Sequence, residues 1–392
     1  AFVALPQAEL AIQIIAIAIP LKVFKNPGLI LLAKEFDYKG MFKLNIIQKI
    51  ASFCIVMLLI LIQPNYWSVI FGELTASLIL LIGSYFISSY RPSLNLTRFD
   101  NQWQFSKWSY LRGITGFLRS QLDIIFASKL FTAGPLGGYH LQRELALIPA
   151  LSLVIPAQEP LLSAIAKAKY DHELLCYRIR LSLLTLLSGL IPLSCYIYFQ
   201  SEAITLIFLG EQWQNYSGLL SSFSLMFFAY CLNALISDSF TAINRLKALF
   251  NFDLISTLGL FATLYFFANN SIEQLAWVRS ITGLIITFSL LITLNTLVSI
   301  KLTYLIQLLL PALSACIISQ IFSSYIQTFV QTNYQFLNLS LNTIVFFSVF
   351  AILFIIFTRS MATLSKNTYI EHSELLRQFD NLISKVKTPS PL

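Results

Sequence analysis

The chain has 392 residues, 57% of them hydrophobic and 11% charged, where an ordinary soluble domain carries roughly a quarter charged residues. A mean hydropathy of +0.73 and 33 phenylalanines exclude a water-facing globule, which at this size needs far more polar surface; 14 glycines and five scattered cysteines exclude collagen-like and disulfide-scaffold classes. The net charge of +8 points to nucleic acid or to the inner face of a membrane, and the positions of the basic residues decide which.

A spanning helix needs about 20 mostly apolar residues. By that measure the sequence predicts eleven spans, over residues 1–21, 43–62, 66–89, 107–131, 136–160, 174–199, 215–237, 250–268, 273–297, 303–328 and 335–358. Spans this long exclude transmembrane strands, so the fold class is all-α, a polytopic transmembrane bundle. The chain opens Ala1-Phe2-Val3 with no methionine and no basic head or cleavage site, so it reads as a fragment that starts inside a larger protein.

The first span runs into Lys22, Lys25, Lys34, Lys39, Lys43 and Lys49, which places that end in the cytoplasm. Further inside groups follow: Arg91, Arg98, Lys107 and Arg112; Lys167, Lys169, Arg178 and Arg180; Arg245 and Lys247; Lys301; and Arg359, Lys366, Arg377, Lys385 and Lys387 in the tail. The intervening outside loops carry no basic residue, so the C-terminus is expected inside. The charge is therefore an inner-face address among anionic lipid headgroups, and nucleic acid is not a partner. Tyr66, Trp67, Trp213 and Tyr216 fit an outer interfacial belt. Residues 368–388 place apolar side chains at helical spacing, as an amphipathic helix on the inner leaflet or a helix facing a partner.

All but four of the 26 basic residues fall in those groups. The four are Arg119, Lys129, Arg143 and Arg279. Lys129 lies near an outer end, where its stem lets the ammonium reach the headgroups. The others lie at depth, where an ion is costly unless paired or hydrated. Arg119 and Asp123 are four apart on one helix face, and Arg143 is followed by Glu144 near Tyr139, His140 and Gln142. Two readings stand: ion pairs that neutralise themselves, Arg119 with Asp123 and Arg143 with Asp123 of the neighbouring span, or a hydrated cavity whose arginines receive an anion while the acids tune or couple the cycle.

The fifth span carries Pro149 and Pro156 two turns apart, which predicts a bend. Motifs of soluble enzymes are absent: no Gly-x-Ser-x-Gly, no phosphate-binding Gly-rich loop and no His-Glu-x-x-His. No metal site or cofactor is expected, and His140 is read as a hydrogen-bonded packing residue.

Phe105-Ser-Lys-Trp108, Gly116-Phe-Leu-Arg-Ser-Gln-Leu-Asp123, Leu136-Gly-Gly-Tyr139, Leu147-Ile-Pro149, Pro156, Pro160, Leu209-Gly210-Glu-Gln-Trp213 and Ala242-Ile-Asn-Arg245 resemble, in order and spacing, the bacterial polysaccharide transporter (oligosaccharide flippase) family of the multidrug/oligosaccharidyl-lipid/polysaccharide exporter superfamily. The sequence departs from that pattern at Ser128-Lys129 and at Gly134-Pro135, where the family usually has a glycine-rich helix end. The resemblance implies two six-helix lobes. Residues 1–100 would be the remainder of an incomplete N-terminal lobe (helices 4 to 6), 101–300 the C-terminal lobe, 301–358 two added spans and 359–392 a cytoplasmic tail.

It further implies an inner-membrane flippase, not an enzyme, moving an undecaprenyl-diphosphate-linked oligosaccharide outward by alternating access for surface polysaccharide synthesis, alongside a polymerase and chain-length machinery. Arg119, Arg143 and Arg279 would contact the diphosphate, with Asp123 and Glu144 as partners or coupling acids. The alternatives are a multidrug or cation antiporter of the same superfamily and a membrane-embedded glycosyl polymerase or ligase. The latter calls for a large basic outside loop, and the longest here, residues 200–214, holds Glu202 and Glu211 without a base.

Overall fold

The computed structural model describes residues 6–34, 39–62, 64–92, 99–268, 271–298, 303–330 and 334–364. Fifteen α-helices run through them: α1 Pro6–Ala16, α2 Ala18–Val23, α3 Gly28–Lys34, α4 Lys39–Ile62, α5 Trp67–Ile87, α6 Phe99–Leu130, α7 Ala133–Pro149, α8 Ile155–Lys167, α9 His172–Phe199, α10 Ser201–Leu209, α11 Ser217–Ala242, α12 Leu246–Phe267, α13 Ile272–Val298, α14 Thr303–Phe329 and α15 Gln335–Leu364. Among the described residues, nine helical stretches are long and apolar enough to cross a membrane, and large apolar side chains such as Phe86, Ile255, Phe266 and Ile344 are exposed, as on a lipid-facing surface. The chain is a multi-pass membrane protein.

Two of the eleven expected spans fall outside those nine. The first is broken at Ile17, leaving a shorter apolar stretch over Leu10–Val23. The other, α6, has 32 residues, about 48 Å at the helical rise, and its charges put it below the apolarity of a span. Residues 365–392, with the expected amphipathic helix, lie outside the described residues.

The chain forms two units, Ala1–Asn101 and Gln102–Leu392. In the first, α4 and α5 pack as a close hairpin: a Cβ on Gly72 would meet Val56 Cγ2 at 2.3 Å, and Ser52 donates to the Gly72 carbonyl at 2.9 Å. Small residues earn such seams in lipid, where backbones must approach for packing to hold helices together. Buried Asn26 ties the loop after α2 to the end of α5. Its N–H donates to Ser84 Oγ at 2.9 Å and its Nδ2 to the Tyr90 carbonyl at 2.8 Å, while its Oδ1 accepts from Gly28 N–H at 2.8 Å. Lys22, expected as a loop charge, instead pairs with Glu73, two turns into α5.

In the second unit α11 is the hub, packed by α9, α13, α7 and α8, with α12 on α13 and the α14–α15 hairpin on α9. Buried serines let these helices approach. Ser194 of α9 donates to the Ser224 carbonyl at 2.8 Å and Thr287 of α13 to the Ala229 carbonyl at 3.2 Å. The expected irregularity in the fifth span is a π-turn, Ala150–Val154, between Pro149 and Pro156. Proline lacks the N–H that the α-pattern needs, and π-turns mark such sites inside helices. Asn244, at φ 59°, closes α11, a left-handed position asparagine tolerates.

Gly210, at φ 90°, ends α10 with its N–H on the carbonyls of Thr205 and Leu206, a conformation that favours glycine. It turns the chain so that Trp213 and Tyr216 lean on α7. A Cβ on Gly138 would lie 2.6 Å from the Tyr216 ring, so these two aromatics are packed and half-buried, not simply interfacial. Gly138→Ala therefore overpacks this contact and is expected to destabilise by about 1–3 kcal/mol, seen as a lower thermal midpoint in detergent. Gly134→Ala, whose nearest neighbour would be Tyr216 Oη at 3.8 Å, should leave the midpoint unchanged or slightly raised.

Candidate functional site

The second unit holds a half-open cavity of about 300 Å³, at the low end of ordinary ligand pockets. Four arginines line it: Arg112 and Arg119 of α6, Arg143 of α7 and Arg279 of α13. The wall between them comes mainly from α11, with Tyr230, Asn233, Ser237 and Asp238, and from Gly283 and Thr287 of α13. Gly283 stands one turn from Arg279, and a Cβ there would meet Arg279 Nη1 at 3.3 Å.

Two aspartates organise the arginines. Asp123 of α6 has no exposed surface. Its Oδ2 lies 3.1 Å from Arg143 Nε and accepts from the Tyr139 hydroxyl at 3.0 Å, and its Oδ1 lies 3.7 Å from Arg279 Nε. Arg143 is also anchored by a 2.8 Å hydrogen bond from Nη2 to the Ser120 carbonyl. Tyr139 is itself fully buried, edge-on to Phe223 of α11 at 5.0 Å between centroids. One carboxylate thus joins α6, α7 and α13, and it lies behind the cavity wall.

The second aspartate, Asp253 of α12, is 1% exposed. Its Oδ1 accepts from Arg119 Nη1 at 2.8 Å and its Oδ2 from Arg112 Nε at 3.2 Å; Arg119 Nη1 also reaches Ser256 Oγ at 3.2 Å. Arg112 and Arg119 stand seven residues apart on one face of α6, about 10 Å along its axis, and converge on this single acid.

The expected intrahelical pair of Arg119 with Asp123 does not form. Four-residue spacing allows contact, yet Arg119 reaches across to α12 while Asp123 turns to α7 and α13, where buried Tyr139 and Arg143 supply it with better-desolvated partners. The other expected pairing, Arg143 with Asp123 of the neighbouring helix, is present. Glu144 lies 3.4 Å from Arg143 Nη1 with its side chain 49% exposed and is not part of the cavity lining. His140, expected to pack, is exposed.

Sequence reasoning missed Asp253 and Asp238 and placed Arg112 in the inner loop group. Asp253 and Asp238 are charges inside otherwise apolar helices, which is the signal the sequence holds for them. Glu73 in the first unit was missed the same way. Among the described residues no cluster of metal-ligating side chains occurs.

The family described as "Polysaccharide biosynthesis protein" matches residues 1–218. The lipopolysaccharide biosynthesis protein WzxC of Escherichia coli (strain K12) is 25% identical over 194 residues, which cover 47% of this chain and 38% of WzxC; the alignment therefore spans well under half of that relative. In fold the chain is similar to lipid II flippase MurJ in its inward closed conformation, with a TM-score of 0.62 over 90% of this chain and 72% of MurJ at 17% identity. Because the family match runs over more than half of the residues, from the first unit into the second, the chain belongs to the polysaccharide biosynthesis protein family.

Proposed function

We propose that the protein is a flippase of the bacterial inner membrane that carries a lipid-linked oligosaccharide, with an undecaprenyl-diphosphate type of headgroup, to the outer leaflet for surface polysaccharide synthesis. The observation that carries this reading is the convergence of Arg112, Arg119, Arg143 and Arg279 on one cavity within a bundle of apolar helices. A diphosphate is an anion that cannot cross hydrocarbon unaided, and planar guanidiniums match phosphate oxygens two at a time. The MurJ-like fold and the family's description point the same way. A cavity of about 300 Å³ suits the headgroup; the sugars need the wider opening that alternating access supplies.

In this reading the arginines hold the headgroup during the passage, and the prolines with the π-turn after Pro149 let the α7–α8 span change its bend. The C-terminus lies in the cytoplasm, and the product is handed to a polymerase and chain-length machinery on the far side. No bond is made or broken in the lipid, so the protein is a transporter and not an enzyme. A cationic cargo, as for a drug antiporter, is opposed by four guanidiniums in the lining.

The test is complementation in a strain lacking this gene. Arg119→Ala, whose side chain is 20% exposed towards the cavity, should reduce surface polymer about tenfold or more with undiminished membrane-inserted protein on immunoblots. Wild-type polymer in both Arg119→Ala and Arg112→Ala rejects the cavity as the anion path.

Asp123→Asn should behave differently, since it strands two buried guanidiniums; breaking a buried pair costs about 3–5 kcal/mol. Its expected signature is a lower detergent melting midpoint and less inserted protein, with polymer falling in proportion to the protein that remains.

A further inference from the structure

We propose that Asp253 is a built-in stand-in for the transported anion: it holds Arg112 and Arg119 until a phosphate takes those donors, and its displacement releases α6 from α12. This rests on reading the cavity as an anion site. The two aspartate clusters differ in a way that assigns them different tasks. Asp123 accepts from a tyrosine hydroxyl as well as facing two arginines, and its arginine side chains are only 8% and 13% exposed. Asp253 is held by arginines alone, and theirs are 20% and 31% exposed and form part of the cavity wall. Each guanidinium has five N–H donors, and the contacts to Asp253 and Ser256 use one nitrogen of each, Nε of Arg112 and Nη1 of Arg119. A phosphate in the cavity would compete with Asp253 for groups already turned towards it.

Charge balance gives the competition its sign. Around the cavity each pair of arginines already faces one aspartate, Asp253 or Asp123, and Asp238 adds a further acid to the wall, so the protein itself answers much of the guanidinium charge. A diphosphate adds negative charge, and in a low-dielectric site that excess is costly unless a carboxylate withdraws. Asp253 is the acid whose arginine partners are the more exposed and which no tyrosine hydroxyl holds in place, so it is the one that gives way.

The packing of α6 turns that exchange into movement. Among the described residues α6, unlike α11, has no extensive close helix-to-helix seam, and a Cβ at Gly113 or Gly116 would meet nothing within 4 Å. It is fastened to α12 by long side chains: the Asp253 clamp, Trp108 against Phe250 at 5.5 Å and Phe126 against Phe261 at 5.7 Å between ring centroids. Opening the clamp removes the ion pairs and leaves two ring contacts and the Lys247 ammonium of α12 over the Trp108 ring at 5.9 Å, contacts that can slide.

The experiment measures binding of farnesyl diphosphate, with inorganic pyrophosphate as a second arm, to the full chain in detergent. Asp253→Asn should hold both probes about tenfold tighter, the worth of one lost charge-assisted competitor, and Ser256→Ala should tighten them less. Tighter binding of farnesyl diphosphate than of pyrophosphate identifies a lipid-borne phosphate as the source. Spin labels at Tyr110→Cys of α6 and Ile255→Cys of α12, on a background without the native cysteines, should show in Asp253→Asn alone the distance that the unsubstituted clamp shows only with probe. Unchanged or weaker binding in Asp253→Asn, with Arg119→Ala still weakened, overturns the stand-in and leaves the anion cavity intact. If Asp253→Asn does not fold, Ser256→Ala decides, and equal or weaker binding there overturns the proposal. Failure of the unsubstituted chain to bind either probe, with Arg119→Ala no different, overturns the anion cavity itself and the stand-in with it.

Discussion

A guanidinium inside a bilayer has to be answered by a carboxylate, and the second unit is arranged around that requirement. Arginines within an apolar bundle would each cost several kcal/mol or more if isolated. Asp123 and Asp253, both essentially without exposed surface, supply the compensation across helices and not along one. Because each aspartate serves two arginines, each acts as a junction: Asp123 fixes α7 and α13 against α6, and Asp253 fixes α12 against α6. The cavity lies between the junctions, and its lining is what remains of four guanidiniums once their inward faces are occupied.

The surrounding helices solve a different problem. In lipid there is no hydrophobic drive between helices, so packing and interhelical hydrogen bonds have to hold them. α11 does this with buried serines and small residues and so reaches α9 and α13 closely. Gly138 does it at α7, where the Tyr216 ring takes the space a Cβ would fill. Among the described residues α6 is the exception, fastened by side chains rather than by a seam. A close-packed hub, a proline-interrupted α7–π-turn–α8 span and a helix on charged ties suit the proposed transport, in which the cavity changes shape without the core coming apart.

The two clusters around the cavity share their chemistry and differ in their surroundings. Tyr139, the Ser120 carbonyl and near-complete burial make the Asp123 cluster a strut. The Asp253 cluster has partly exposed arginines at its edge. In the first unit the Lys22–Glu73 pair, with side chains 53% and 39% exposed, is another ionic contact within a span. Local polarity within an apolar bundle, more than any enzyme-like motif, is what marks the proposed site.

The amino-acid sequence determined on its own the all-helical membrane class, most of the spans, and that Arg119, Arg143 and Arg279 were the unusual charges, because hydropathy and charge are local properties read within one helix. It also marked Pro149 and Pro156 as a place where the chain departs from regular helix, since backbone preference is local too. Only the tertiary structure decided the pairing. Arg119 stands four residues from Asp123 yet binds Asp253, 134 positions away, and Arg112 changes from a loop charge into a wall of the cavity. The physical reason is that a charge in low dielectric takes the best-desolvated and best-oriented partner available, and which carboxylate that is depends on helix packing rather than on distance along the chain.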